Sequence, residues 1–397
     1  MLTSLRRCLG VLAVLSLTMG ACGAPSDTGA DTGTAPTATP AFVPVVTIYA
    51  PTAAPSNTPA PTEMPTMAPT PTQAATPTPD GSINPFTGLP VSDPAILERA
   101  PLLIKVANTA EVRPQSGLNS ADVVVEHLTE GGITRFTALY LSNTPERVGS
   151  VRSCRLIDIE LPRIFGAGLV CSGTSPGVKP TMRAVALEGA SQPGDVNSSG
   201  FIISDFGPFE CPSCPMFRTN DRPMPHNLFA NTANAWRALD ERGKNQRTPF
   251  SAWTFDPVAP AGGQSAAALS IPYQADPVDW IYNAGTGLWE RQVDGQPHVD
   301  AETRQTLTAA NVIVAFAYHA VTAIQEDTAG GMSIQIQLWG QGPVKIARDG
   351  KVIDGLWRRP GQPGVLEFVD AQGNPIPLKP GNSWLELAPL DFPVRAR

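Results

Sequence analysis

From Gly23 to about Asp80 the chain is dominated by Pro, Thr, Ala and Ser, in runs such as Ala68-Pro-Thr-Pro-Thr72 and Thr76-Pro-Thr-Pro79. Such residues bury little apolar surface and favour extended backbone, so this seventh of the 397-residue chain cannot supply a core and reads as a semi-rigid tether. At about 3 Å per residue its reach is on the order of 150 Å. Its one apolar island, 42–49, could pair only transiently as a strand. Any folded structure must therefore come from the residues after Ser82.

What precedes the tether says where it works. Arg6 and Arg7, an apolar stretch at 11–19 too short to span a bilayer, and then Gly20-Ala21-Cys22 describe an export signal. The run Leu17-Thr-Met-Gly-Ala-Cys22 resembles the lipobox of bacterial lipoproteins. That resemblance implies removal of residues 1–21, a lipid on Cys22, and anchoring to the outer face of the cell membrane. The alternative is an ordinary secretory signal with a chance cysteine, since Met19 is unusual three residues before the cleavage point. The formal net charge is −7 and no Lys/Arg-rich stripe occurs, which argues against a nucleic-acid partner.

Setting aside Cys8 and Cys22 leaves Cys154, Cys171, Cys211 and Cys214, an even number suited to two disulfides in an exported chain. Cys211-Pro-Ser-Cys214 reads first as a local disulfide, with a zinc site completed by Cys154, Cys171 or His226, or a redox pair, as alternatives. Cys154 and Cys171 could close a helix onto the strand that follows it. His127, His298 and His319 lack ligand-like spacing, and no metal or cofactor is expected.

The folded part reads as α+β: a mixed α/β domain at 84–245, a linker at 246–269, and a smaller, mainly antiparallel β domain at 270–392. Buried strands are expected at 101–107, 121–128, 133–142, 168–171 and 201–204. Helices are expected at 153–165, bent or ended by Pro162, at 181–188, and at 232–242 before Gly243. In the second half, strands are expected at 279–282, 310–316, 333–339 and 383–387. Arg348-Asp-Gly-Lys351 marks a tight hairpin turn. Trp289, Trp339, Trp357 and Trp384 suit either a core or a sugar-stacking face.

Several stretches resemble the YerB-like lipoproteins, an envelope family whose defining domain carries no assigned function. They are Asn84-Pro-Phe-Thr-Gly-Leu-Pro90, Arg113-Pro-Gln-Ser-Gly117, Ala121-Asp122, Glu130-Gly-Gly-Ile-Thr-Arg-Phe136, Gly149-Ser-Val-Arg-Ser153 and Pro225-His-Asn-Leu228. In the second half Asp294-Gly295, His298, Asn311-Val-Ile-Val314, Asp354-Gly-Leu-Trp357 and Pro380-Gly-Asn-Ser-Trp384 continue it. The resemblance implies fold, two-part organisation and location, and little chemistry.

Read physically, Glu130 stands at a strand end beside two glycines that would let a ligand approach the backbone. It could serve as a general acid on cell-wall glycan, in the manner of a lytic transglycosylase, which needs one such carboxylate. Asp122, Arg135, Arg152, Arg155 and His226 would then position substrate. The plainer alternative makes Glu130 and Arg135 an ion pair fixing a turn, and His226 a loop anchor. Peptidoglycan is thus the expected substrate or ligand, cell-wall synthesis proteins the partners of a non-catalytic scaffold, and a small envelope metabolite a third possibility. Cys171-Ser-Gly-Thr-Ser-Pro176 lacks a nucleophile elbow, and no phosphate loop or dinucleotide fingerprint occurs.

Overall fold

The computed structural model describes residues 82–361 and 364–397. The export signal, Cys22 and the tether lie outside the described residues. In chain order the main-sheet strands of the first half are β1 (Leu102–Asn108), β2 (Val123–Leu128), β3 (Thr134–Tyr140), β4 (Gly168–Cys171) and β5 (Phe201–Ile203). The second half opens with a meander of β6 (Ala268–Ile271), β7 (Val278–Asn283) and β8 (Leu288–Val293). Then come β9 (Asn311–Ala317), a two-stranded ribbon of β10 (His319–Gln325) and β11 (Met332–Ile336), and β12 (Gly340–Arg348). β13 (Lys351–Arg359), β14 (Glu367–Val369) and β15 (Ser383–Pro389) follow, and shorter strands include Val148–Gly149, Met216–Arg218 and Leu228–Ala230, which form a separate three-stranded sheet.

One mixed sheet of eleven strands organises the molecule, in the order β14-β13-β12-β9-β15-β2-β3-β1-β4-β5, with Gln264–Ser265 added on β13. Strand β15 is the joint: it runs parallel to β2 on one side, pairing Val123 with Ser383, and parallel to β9 on the other. The two halves of the sequence therefore meet strand to strand. The 246–269 stretch lies against the core, with Trp253 buried and its indole donating to Leu366 O at 3.0 Å.

Side chains alternate across this sheet, and both faces are covered, which is why β1 and β9 are buried at every residue and β2 at all but its last. Val123, Val125, Leu139, Ile313 and Leu385 face α1 (Leu161–Phe165), α2 (Lys179–Glu188) and the loops around them. Val124, Phe136, Ala138, Val312 and Trp384 face the small β6–β8 sheet and α3 (Thr232–Glu241). Trp289, Trp357 and Trp384 are at most 2% exposed, so they are core residues and not a stacking face. Sheet predominates, and helix is confined to short segments.

Two expectations need correcting. The helix expected at 153–165 is a 3-10 turn, Leu156–Ile159, followed by α1. Pro162 stands in the first turn of α1, where a missing N–H costs nothing, so it starts the helix instead of ending it. Strands β6, β8, β10 and β14 were not expected; β8 carries Glu290, Arg291 and Gln292 in a row, which obscures its alternation. The hairpin turn of β12 and β13 is as expected, with Asp349 and Gly350 both at positive φ, 50° and 68°.

Candidate functional site: an ion cluster beneath a ribbon

On the helical face of the sheet, alternation places Lys105 and Thr137 opposite each other in the β1–β3 register, with His127 alongside on β2. All three are fully buried. Lys105 donates to Asp158 Oδ1 at 2.8 Å, to Thr137 Oγ1 at 2.9 Å and to His127 Nε2. Burial pulls the Lys105 ammonium down to about 8, against the opposing pull of Asp158. The His127 ring contacts Leu128 O through Nδ1, and burial beside the Lys105 cation keeps it neutral, so Nε2 is the acceptor.

Asp158 links this group to the next. Its second oxygen accepts from Arg155 N at 2.7 Å, fixing the turn that aims the Arg155 side chain at Glu130. Glu130 lies in the β2–β3 connection, where Gly131 and Gly132 adopt positive φ. Arg155 donates Nε to Glu130 Oε2 at 2.7 Å and Nη2 to Oε1, while Arg135 Nη2 reaches Oε1 at 3.2 Å. Arg135 is further fixed by donating to Ser153 O at 2.6 Å. Burial would raise the Glu130 carboxyl, but the Arg155 hydrogen bond and the two guanidinium charges outweigh it and hold it below its ordinary value. Burial and the neighbouring Arg155 charge bring Arg135 to about 10. At neutral pH Glu130 is thus a clamped carboxylate with no proton to donate.

The structure gathers Glu130, Arg135 and Arg155, and leaves the other candidates elsewhere. Arg152 pairs with His226, Nη2 to Nδ1 at 2.5 Å, and donates to Pro225 O at 2.5 Å, so both belong to the 222–226 loop. Burial and the Arg152 charge lower the His226 ring. Asp122 precedes β2, at the opposite end from Glu130; it accepts from Leu141 N, Ser142 N and Asn84 Nδ2 and pins the chain after β3. A surface recess of about 560 Å³ near Ser120, Arg147, Phe217 and Glu302 contains none of these residues. Cys154–Cys171 and Cys211–Cys214 are both disulfides, with S–S distances of 2.06 and 2.17 Å. Among the described residues no three His, Cys, Asp or Glu side chains are placed to hold a metal.

Sequence reasoning missed Lys105, Asp158 and Glu326. The first two stand as single charges inside apolar runs, Leu-Leu-Ile-Lys-Val and Leu-Ile-Asp-Ile, and a lone charge in a buried strand needs a partner. Glu326, at the ribbon tip, gave no such signal.

The geometry describes a layered module with a sealed polar interior. Two family models match the chain: the N-terminal domain of a protein of unknown function (DUF3048) at residues 86–245, and the C-terminal domain of the same family at 269–385. The chain belongs to the DUF3048 family. It is 29% identical over 312 residues to "Putative lipoprotein YerB" of Bacillus subtilis (strain 168), covering 77% of this chain and 86% of that protein. It also resembles the crystal structure of YerB protein from Bacillus subtilis, with a TM-score of 0.64 at 27% identity, over 79% of this chain and 99% of that one. The lipoprotein name of that relative accords with the signal and Cys22 read from the sequence. No described helix is long and apolar enough to cross a membrane.

Proposed function

We propose that this is a lipid-anchored envelope protein that works by binding, as a non-catalytic partner of peptidoglycan or of the proteins that build it. The observation that carries this reading is the state of Glu130. A general acid must hold a proton near the working pH, and efficient ones have raised pKa values. Glu130 is 8% exposed, paired with two arginines and held below its ordinary value. Neither Arg152 nor His226 bonds to it. A lytic-transglycosylase role would require Glu130 to lose both guanidinium partners before acting.

The separating experiment is incubation of the detergent-solubilised protein with purified cell-wall sacculi. The binding reading expects the protein to sediment with the wall, or to retain a synthesis protein in a pull-down, with no muropeptide released. Muropeptide release that disappears in Glu130→Gln would sink it and restore the glycan-cleaving alternative.

A further inference from the structure

The ribbon β10–β11 is an excursion that the main sheet does not need. Strands β9 and β12 pair directly with each other, and the ribbon forms a separate two-stranded sheet. It is joined to β9 through Tyr318 alone and to β12 through residues 337–339, with Gln337 N donating to Tyr318 O at 2.9 Å across its base. Its inner side rests on the core through Ile324, Ile334 and Ile336. Its outer side is exposed, with Val321 at 74%.

The tip of the ribbon, residues 326–331, covers the ion cluster. Gly331 is glycine for steric reasons, because a Cβ there would lie 3.0 Å from Glu130 Cβ and 2.8 Å from Asp327 Oδ2. From this tip the Glu326 side chain, with no exposed surface, points at Arg155, Oε2 to Nε at 3.3 Å. Neither Glu326 oxygen accepts a hydrogen bond, and the buried Ser333 hydroxyl of β11 is also unpartnered. A buried carboxylate with no hydrogen bonds is costly, and raising the ribbon would return it to water. An oxyanion reaching Arg155 from outside could take the Glu326 position and accept from the Nη1 and Nη2 hydrogens that Cys154 O and Glu130 leave free.

We propose that the ribbon is a flap over an oxyanion-binding site, in which Glu326 holds the place of a ligand's carboxylate or phosphate on Arg155. This site is independent of which wall component the protein engages. It requires that a ligand anion compete with Glu326 and that binding open the tip. The test titrates inorganic pyrophosphate and, separately, succinate into the full-length protein in detergent at fixed ionic strength, comparing the wild type with Glu326→Gln. Removing the competing charge is expected to tighten one probe at least tenfold, and the probe that responds distinguishes a phosphate from a carboxylate ligand. In the wild type, saturating probe should speed hydrogen exchange of the Glu326 and Gly331 amides, whose bonds to Gly331 O and Asp327 Oδ1, both 2.8 Å, form the turn within the tip that holds Glu326 inward and that its withdrawal must loosen. Equal affinity in the two proteins, no binding by either, or binding that leaves these amides protected each overturns the flap.

Discussion

Glu126 and His127 are neighbours in β2, yet they enter two different buried ion networks on opposite faces of one sheet. The network on the small-sheet side is sealed, and every carboxylate oxygen in it accepts a hydrogen bond, while Arg291 Nε is left without a partner. Glu126 accepts from Arg291 at 2.7 Å, Thr134 at 2.6 Å and Asn108 at 3.2 Å. Glu386, its register partner on β15, accepts from Trp280 at 3.0 Å and Tyr273 at 3.1 Å. The Arg291 guanidinium sits 5.1 Å from the Trp384 ring centre and 5.3 Å from that of Phe136. The helical-side network, in contrast, ends under the ribbon in a carboxylate with no hydrogen bonds. A carboxylate with both oxygens bonded marks a device that holds two layers together, and one with neither bonded marks a place where something can change.

The contrast is broken first at Arg291. Replacing it by Met would leave Glu126 buried without its cation, and removing one partner of a buried pair costs about 3–5 kcal/mol. Urea unfolding followed by tryptophan fluorescence should show a loss of that size. A loss under about 1 kcal/mol would mean that the sealed network is not structural.

The disulfides give the next largest effect and separate along the same line. Cys154–Cys171 is wholly buried on the helical face and closes a sequence separation of 17 residues. Loop-closure entropy gives it about 3 kcal/mol. Cys211–Cys214 closes a separation of only 3 on the surface, so its removal should cost less. Thermal melts of the two Cys→Ala double variants rank them, and the reverse order would contradict the loop-length argument.

Much of this fold could be read from the sequence because apolar runs and turn residues are local signals. β2, β4, α3 and the Asp349-Gly350 turn stand within a residue or two of their expected places. The sheet that joins the halves could not be read so directly, because the β2–β15 pairing links residues some 260 positions apart and neither strand marks its partner locally. For the site, Glu130 stood out as a carboxylate beside two glycines, with Arg135 and Arg155 among the expected positioning groups, and these three do converge. Whether Glu130 is clamped or free depends on Arg135 and Arg155, and Arg155 is aimed at it by the turn that Asp158 fixes. Arg152 looked equivalent to Arg155, but three residues of extended backbone and a turn send their side chains to different partners.

A pH experiment sharpens the sealed side. Burial, then the adjacent Glu126 charge, raises the Glu386 carboxyl well above its ordinary value of 4.5. The folded state therefore holds that proton at pH values where the unfolded chain has lost it. Its contribution is fully present below the unfolded value and is lost as pH rises through the folded one. Glu386→Gln imitates the protonated side chain. It should cost little at pH 5 and flatten the decline of the urea midpoint toward pH 9; a decline as steep as the wild type's would assign it to other groups.

The smallest effect is the most discriminating, because it asks the same substitution on both faces. Glu126→Gln replaces an acceptor bonded by Asn108, Thr134 and Arg291 with a neutral amide, and should cost about 2 kcal/mol or more, since charged hydrogen bonds are lost in a buried site. Glu326→Gln removes a charge that no hydrogen bond supports, and Arg155 keeps Glu130 as its partner. Its stability should stay within about 1 kcal/mol of the wild type, or rise, as the desolvation cost of the unsatisfied carboxylate disappears. Paired urea titrations at pH 7 read the difference between the two. If Glu326→Gln proves as damaging as Glu126→Gln, the ribbon tip is as structural as the sealed network, and the asymmetry between the two faces of the sheet disappears with it.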